Sequence, residues 1–226
     1  MDNELMIQAD EALDKAKIRL LSGKAPGMLF MAHLLLNLRF KWDEQSPTAW
    51  VDGVTLGINP EFYVGLNDPK LHISVLVHET YHVALKHFAR VGSRDRKVWN
   101  FAGDYIINAY IKKMGLPLGE GWLYKEEYDG DEWTTELVYE DLIKNPQKQP
   151  QNAPMQGDIK EVGSGTPGEG GQGTDVIMQK VESVIIKAYT AAKMQQGAKF
   201  VGTGSPELDR MIDELLNPIL PWGTIL

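Results

Sequence analysis

Residues 76–84 read Leu-Val-His-Glu-Thr-Tyr-His-Val-Ala, and this stretch decides how the rest of the chain is interpreted. Apart from the motif residues themselves, every side chain in it is uncharged, as expected of a helix that is buried behind a metal site. His78 and His82 lie one helical turn apart, so both rings project from one face of the helix. Two neutral imidazoles at this spacing can bind one zinc ion.

Glu79 follows the first histidine and is expected to lie beside the metal rather than on it. There a carboxylate can take a proton from zinc-bound water and pass it to a leaving group. Zinc lowers the pKa of its bound water to about 7, which makes hydroxide available at neutral pH. A shuffled chain of this composition would contain about 0.008 copies of the HExxH pattern. We therefore expect a zinc-dependent hydrolase with Glu79 as general base, against the alternative of two coincidental histidines.

A catalytic zinc site needs a third protein ligand, and the chain has no cysteine to provide it. On a continuous helix His87 would point about 140° away from His82, which makes it a poor partner. His72 is expected off the metal face of the same helix. His33 lies in an apolar segment and is expected to be a core residue.

A carboxylate on the next predicted helix is the better candidate. Asn100, Asp104 and Asn108 recur at every fourth position and form a polar stripe on an otherwise apolar helix. A buried polar stripe is costly unless it is satisfied, and a metal would satisfy Asp104. The spacing leaves two interpretations open. Asp104 is the third ligand, or the stripe faces solvent or bonds to neighbouring backbone.

Charge and hydropathy exclude several classes of protein. The chain of 226 residues has a formal charge of −8, which disfavours nucleic-acid binding as its main role. Its N-terminus lacks the basic start and apolar run of a secretion signal. Residues 27–40 are the most apolar stretch, but they are too short and too polar for a membrane span. These features predict a cytoplasmic protein that binds neither nucleic acid nor membrane.

The periodicity around the motif predicts a mainly helical α+β fold. Residues 50–66 are β-favouring, are broken by glycines, and predict one or two short strands with a turn at Asn59-Pro60. The architecture expected is a minimal zincin-like one, with a small β-sheet beside the HExxH helix and a strand edge at residues 54–59 for an extended substrate. The helices are predicted at 5–21, 27–40, 70–90, 97–114, 134–144, 175–196 and 206–216.

Composition divides the chain into three parts. Residues 1–144 are predicted to form the zincin-like core. Residues 145–174 are rich in Gly, Pro and Gln and are expected to form a flexible loop. Residues 175–226 are expected to supply C-terminal helices that pack on the core. Their apolar tail, 219–226, suggests a truncated junction to a second domain.

The segment from His78 to His87, followed by the segment from Trp99 to Asn108, resembles a bacterial and phage family of metallopeptidase-like domains. The resemblance covers most of the chain. It implies that His78, His82 and Asp104 bind zinc, that Glu79 is the general base, and that the substrate is a protein or peptide. In that family a von Willebrand factor A-like domain normally follows in cis, so a longer form of the chain would carry one.

Two other functions remain open at this point. Zinc could brace the fold of a non-catalytic adaptor in a larger assembly, or a decayed site could bind no metal. Several aromatic residues also have open roles. An oxyanion could be stabilised by Tyr81, Tyr105 or His87, and Trp122, Tyr124 and Tyr128 could line a substrate cleft or belong to the core.

Overall fold

The computed structural model describes residues 3–151, 159–160 and 174–218. Within these ranges the chain is mainly helical and contains one small sheet of three strands, so the predicted α+β class is confirmed. The strands are β1 (Arg39–Trp42), β2 (Ala49–Val51) and β3 (Thr55–Ile58). The α-helices are α1 (Asn3–Ser22), α2 (Met28–Leu35), α3 (Pro60–Val64), α4 (Pro69–Ala84), α5 (His87–Arg90), α6 (Arg96–Lys113), α7 (Thr135–Lys144), α8 (Thr174–Gln196) and α9 (Pro206–Leu216).

The motif helix α4 is the centre of the core. The side chain of Asp68 caps it by accepting a hydrogen bond from the backbone N–H of Lys70 at 2.8 Å, and Pro69 occupies the first turn. All residues from Ile73 to Ala84 are buried, because α1, α2, α6 and β2 pack around the helix. A helix that is buried on every side must satisfy its polar side chains internally.

The sheet has the order β1-β3-β2, with β1 parallel and β2 antiparallel to β3. Both edges of β3 are therefore paired, and the prediction that residues 54–59 offer a free edge to a substrate is wrong. On the outer side of β2, Val51 forms a bridge with Ile159, and the backbone N–H of Lys160 donates to the Val51 carbonyl at 2.9 Å.

Two helices end earlier in the structure than the sequence pattern predicts. The helix expected at 27–40 ends at Leu35, because residues 39–42 leave it to pair with β3 as strand β1. The helix expected at 70–90 ends at Ala84. Lys86 then adopts a left-handed conformation with φ 53°, and the chain restarts as the short helix α5.

The remaining helices lie close to their predicted positions, and α9 matches residue for residue. The turn expected at Asn59-Pro60 is the start of α3, where the Asn59 side chain caps the helix by accepting from the N–H of Phe62 at 3.0 Å. Helix α8 packs against α2 and α9. The division into a core, a loop and C-terminal helices stays a prediction, because most of 145–174 and all of 219–226 lie outside the described residues.

No helix within the described ranges is both long enough and apolar enough to cross a membrane.

Candidate metal centre

Helix α6 brings the polar stripe of Asn100, Asp104 and Asn108 against α4. The Asp95 side chain caps α6 by accepting from the N–H of Val98 at 2.9 Å. The stripe is buried, with exposed fractions of 7%, 3% and 1% for its three side chains. The interpretation in which the stripe faces solvent is therefore wrong.

Three donor atoms from α4 and α6 meet between the helices. Nε2 of His78 lies 3.1 Å from Nε2 of His82, and Oδ1 of Asp104 lies 3.5 Å and 3.3 Å from these two nitrogens. Ligand atoms around a tetrahedral zinc ion at about 2.0–2.1 Å are about 3.3 Å apart. The three donors thus have the spacing of three corners of a zinc tetrahedron. Glu79 and His87 are not part of this group.

The imidazole of His78 is held by a side-chain amide. Its Nδ1 lies 3.0 Å from Oδ1 of Asn108, whose Nδ2 donates to the Leu123 carbonyl at 2.8 Å. A carbonyl only accepts, so the amide group must turn its NH₂ towards Leu123 and its oxygen towards His78. In the neutral ring the proton is consequently on Nδ1, and the lone pair of Nε2 faces the donor group. Trp122 packs edge-on against the same ring, with centroids 5.2 Å apart.

The imidazole of His82 meets a second histidine. Its Nδ1 lies 2.9 Å from Nδ1 of His87, and Nε2 of His87 lies 2.9 Å from Oγ1 of Thr135. The prediction that His87 points away from the site is wrong, because it assumed that the helix continued. The left-handed turn at Lys86 instead directs His87 back towards His82.

The histidine pair requires a glycine on the facing helix. A Cβ atom at Gly103 would lie 2.8 Å from Nδ1 of His87 and 3.4 Å from Cε1 of His82. The rings are fully buried and cannot move aside easily. Gly103 thus lets the backbone of α6 approach the two imidazoles.

Three ion pairs, made by two basic side chains, fix the turn that carries His87. Nζ of Lys86 lies 2.8 Å from Oε1 of Glu182 on α8. The guanidinium of Arg90 is shared by Glu136 on α7 and Glu207 on α9, each 2.6 Å from its Nη2, and Nη1 donates to the Leu85 carbonyl at 2.8 Å. The turn is therefore tied to three helices that follow it in the chain.

The charge states of the site follow from burial and from the facing groups. Burial raises the pKa of Asp104, but hydrogen bonds and charge interactions with His78 and His82 outweigh it, and the net pKa is lowered. Burial, helped by His82 and Arg90, holds the pKa of His87 well below its usual range. At neutral pH the site thus combines a neutral His87 with an ionised Asp104, the state that a metal ligand requires. Glu79 is fully buried in the same turn as His78.

The other predicted candidates lie elsewhere. His72 is off the metal face as expected, and its Nε2 lies 2.8 Å from the Tyr63 carbonyl. His33 is half-buried rather than in the core, with its Nε2 3.2 Å from Oε1 of Gln195. The hydroxyl of Tyr81 is directed to the Thr203 carbonyl at 3.5 Å, which leaves it occupied away from the donor group.

The aromatic residues predicted for a cleft or the core divide between two environments. Tyr128 is buried and packs against Tyr105 and Trp133, so it belongs to the core. Trp122 and Tyr124 are half-buried. Of these two, Trp122 lies against the donor group through its contact with His78.

These observations define a class: a mainly helical α+β protein with a buried His-His-Asp group that could hold a metal ion. The chain belongs to the family described as "Putative metallopeptidase domain", whose sequence profile matches residues 8–226. An "Uncharacterized protein" of Thermotoga maritima is 39% identical over 71 residues, which take in 29% of this chain and 17% of the relative. No solved structure matches the chain.

Proposed function

We propose that this domain is a zinc-dependent metallopeptidase with a zincin-like site, in which His78, His82 and Asp104 hold the metal and Glu79 is the general base. The observation that carries the proposal is the convergence of three donor atoms, 3.1–3.5 Å apart, from a HExxH helix and the helix that follows it. Family membership favours the same reaction class. The donor group has three members among the described residues, and a catalytic zinc keeps its fourth position for water.

The metal and Glu79 would have different roles in hydrolysis. Zinc, when bound, would activate water and polarise the peptide carbonyl. The carboxylate of Glu79 would accept the proton of the attacking water and deliver it to the leaving amine. Its complete burial excludes bulk water from this proton transfer. We further propose a protein or peptide as substrate and, in a longer form of the chain, a von Willebrand factor A-like domain in cis.

Burial also favours a second candidate, a zinc-braced adaptor without activity. The donor residues and Glu79 are at most 3% exposed, as expected of a site that only stabilises the fold. A peptide could reach the metal only after the surrounding segments open. This alternative predicts bound zinc, a stable fold and no cleavage.

The test measures zinc content and peptide cleavage in the same preparations. Elemental analysis of the wild type should give about one zinc per chain, and Asp104→Asn should lose it. Cleavage of a peptide library, followed by mass spectrometry, should require zinc. Glu79→Gln should keep the zinc and lower the cleavage rate by about 10²–10⁴-fold. Zinc without cleavage in the wild type would favour the adaptor, and no zinc would overturn both candidates.

A further inference from the structure

We infer that His87 and Thr135 are positioning residues, which hold His82 in the tautomer that binds metal through Nε2. The inference rests on the metal site proposed above. It starts from a buried line of atoms that leads away from the donor group, from His82 Nδ1 to His87 Nδ1 at 2.9 Å and from His87 Nε2 to Thr135 Oγ1 at 2.9 Å. All three side chains have 0% exposure.

The number of protons on the two imidazoles decides which nitrogen donates and which accepts in each of these hydrogen bonds. A neutral imidazole carries one N–H and one lone pair. If Nε2 of His82 gives its lone pair to a metal, the proton must be on Nδ1 and must be donated to Nδ1 of His87. The single proton of His87 is then on Nε2 and is donated to the hydroxyl oxygen of Thr135. Without the acceptor at His87, a buried N–H of His82 would be left unpaired.

The fold holds His87 in place by its backbone as well as by its ring. Nε1 of Trp99 donates to the carbonyl of His87 at 3.0 Å, and the indole packs edge-on against the imidazole with centroids 5.8 Å apart. His87 is not a metal ligand, because it contacts His82 on Nδ1 and uses its other nitrogen on Thr135. Outer partners of this kind orient the ring and select the tautomer of a metal-binding histidine.

Two substitutions at position 87 separate hydrogen bonding from packing. His87→Asn places a side-chain oxygen close to the position of Nδ1 but leaves unfilled space. His87→Phe keeps the ring shape but has no acceptor. Zinc affinity is measured by competition with a chelator, and the visible spectrum of bound Co²⁺ reports the coordination geometry. His72→Phe is the control, because it removes a histidine of the motif helix α4 whose ring is bonded to the Tyr63 carbonyl, away from the donor group.

The positioning role predicts that His87→Phe binds zinc about 10–100-fold more weakly than the wild type. His87→Asn should recover most of this loss, and His72→Phe should bind zinc as the wild type does. A packing role predicts the reverse order, with Phe close to wild type and Asn impaired. That order, or equal affinities in all proteins, would overturn the inference.

Position 135 gives a milder test if the variants at position 87 unfold. Thr135→Ser keeps the hydroxyl and should bind zinc like the wild type, whereas Thr135→Val should bind it more weakly. Equal zinc affinities for Ser and Val would overturn the role of the hydroxyl. Zinc binding with these differences but without peptide cleavage would support the inference and count against the peptidase. A wild type that binds no zinc would overturn both.

Discussion

The two imidazoles of the motif helix are held by partners of different chemistry. His78 donates to the amide oxygen of Asn108, which is itself fixed by the Leu123 carbonyl. His82 faces His87 and Thr135, a histidine and a hydroxyl that can each donate or accept. On the amide side, formed by His78 and Asn108, the hydrogen bonds can therefore run in only one direction. On the histidine side, formed by His82, His87 and Thr135, they can run in either direction.

The two ligands therefore differ in when their tautomer is fixed. The tautomer of His78 is fixed before a metal binds, and that of His82 is fixed when the metal binds. Because Asn108 accepts from Nδ1, a neutral His78 can present only the lone pair of Nε2 to the donor group. His82 acquires a fixed tautomer when a metal takes its Nε2 lone pair. The hydrogen bonds from His82 to His87 and from His87 to Thr135 then run in one direction only. A preset ligand lowers the cost of ordering the site, so the His78 side should be the more sensitive to mutation.

The largest effect is expected on the amide side. Asn108→Leu leaves both His78 Nδ1 and the Leu123 carbonyl without their partner, so zinc affinity should fall by about 10–100-fold. Chelator competition measures this change. Asn100→Leu is the control from the same stripe, since its amide is a long 3.5 Å from Oδ2 of Asp104, and it should change affinity by less than about threefold. A loss of affinity no greater than that of His87→Phe, the corresponding variant on the His82 side, would contradict the comparison.

A smaller effect, on stability, is expected from Gly103→Ala, whose added methyl group would contact only the histidine side. Alanine gains about 1 kcal/mol in helix propensity, but the added Cβ would lie 2.8 Å from His87. In a close-packed core such a contact costs about 1–3 kcal/mol, so the metal-free protein should unfold more easily. Thermal unfolding of Gly103→Ala, of His87→Ala and of the double variant gives the coupling free energy between positions 103 and 87. Additive effects would show that the two sites do not interact.

The smallest effect is expected at the turn. Lys86→Ala and Lys86→Gly both remove the ion pair with Glu182, but only glycine adopts φ 53° without strain. Lys86→Gly should therefore be more stable than Lys86→Ala by about 1 kcal/mol in denaturant unfolding. Identical unfolding free energies would mean that the left-handed turn stores no strain.

The two histidines of the donor group could be predicted because their signal is local, whereas spacing left Asp104 open and the family resemblance assigned it. His78 and His82 share a face through helical spacing alone, and Asp104 stands in a polar stripe on an apolar helix. The caps Asp68 and Asp95 fix where these helices begin. Burial of both helices then leaves few ways for the polar groups to be satisfied except by meeting each other.

The outer partners could not be predicted, because their signal is tertiary. No glycine or proline marks the end of the motif helix at Ala84, and a lysine in a left-handed turn is unusual. The conformation is held by Glu182 and by the partners of Arg90, which are distant in sequence. Strand β1 was not predicted for a related reason: Arg39 and Phe40 stand at the end of the apolar stretch 27–40, and only pairing with β3 removes them from a helix.

The shared guanidinium of Arg90 has a consequence for biosynthesis. The two helices that supply the donor atoms are complete once residue 113 has been made, so they can associate while the ribosome is still translating. The carboxylate of Glu207 reaches Arg90 only after nearly a hundred further residues have emerged. The turn behind His82 is thus secured well after the two donor helices have formed, and a nascent chain would pass through a stage in which one imidazole is anchored before the other.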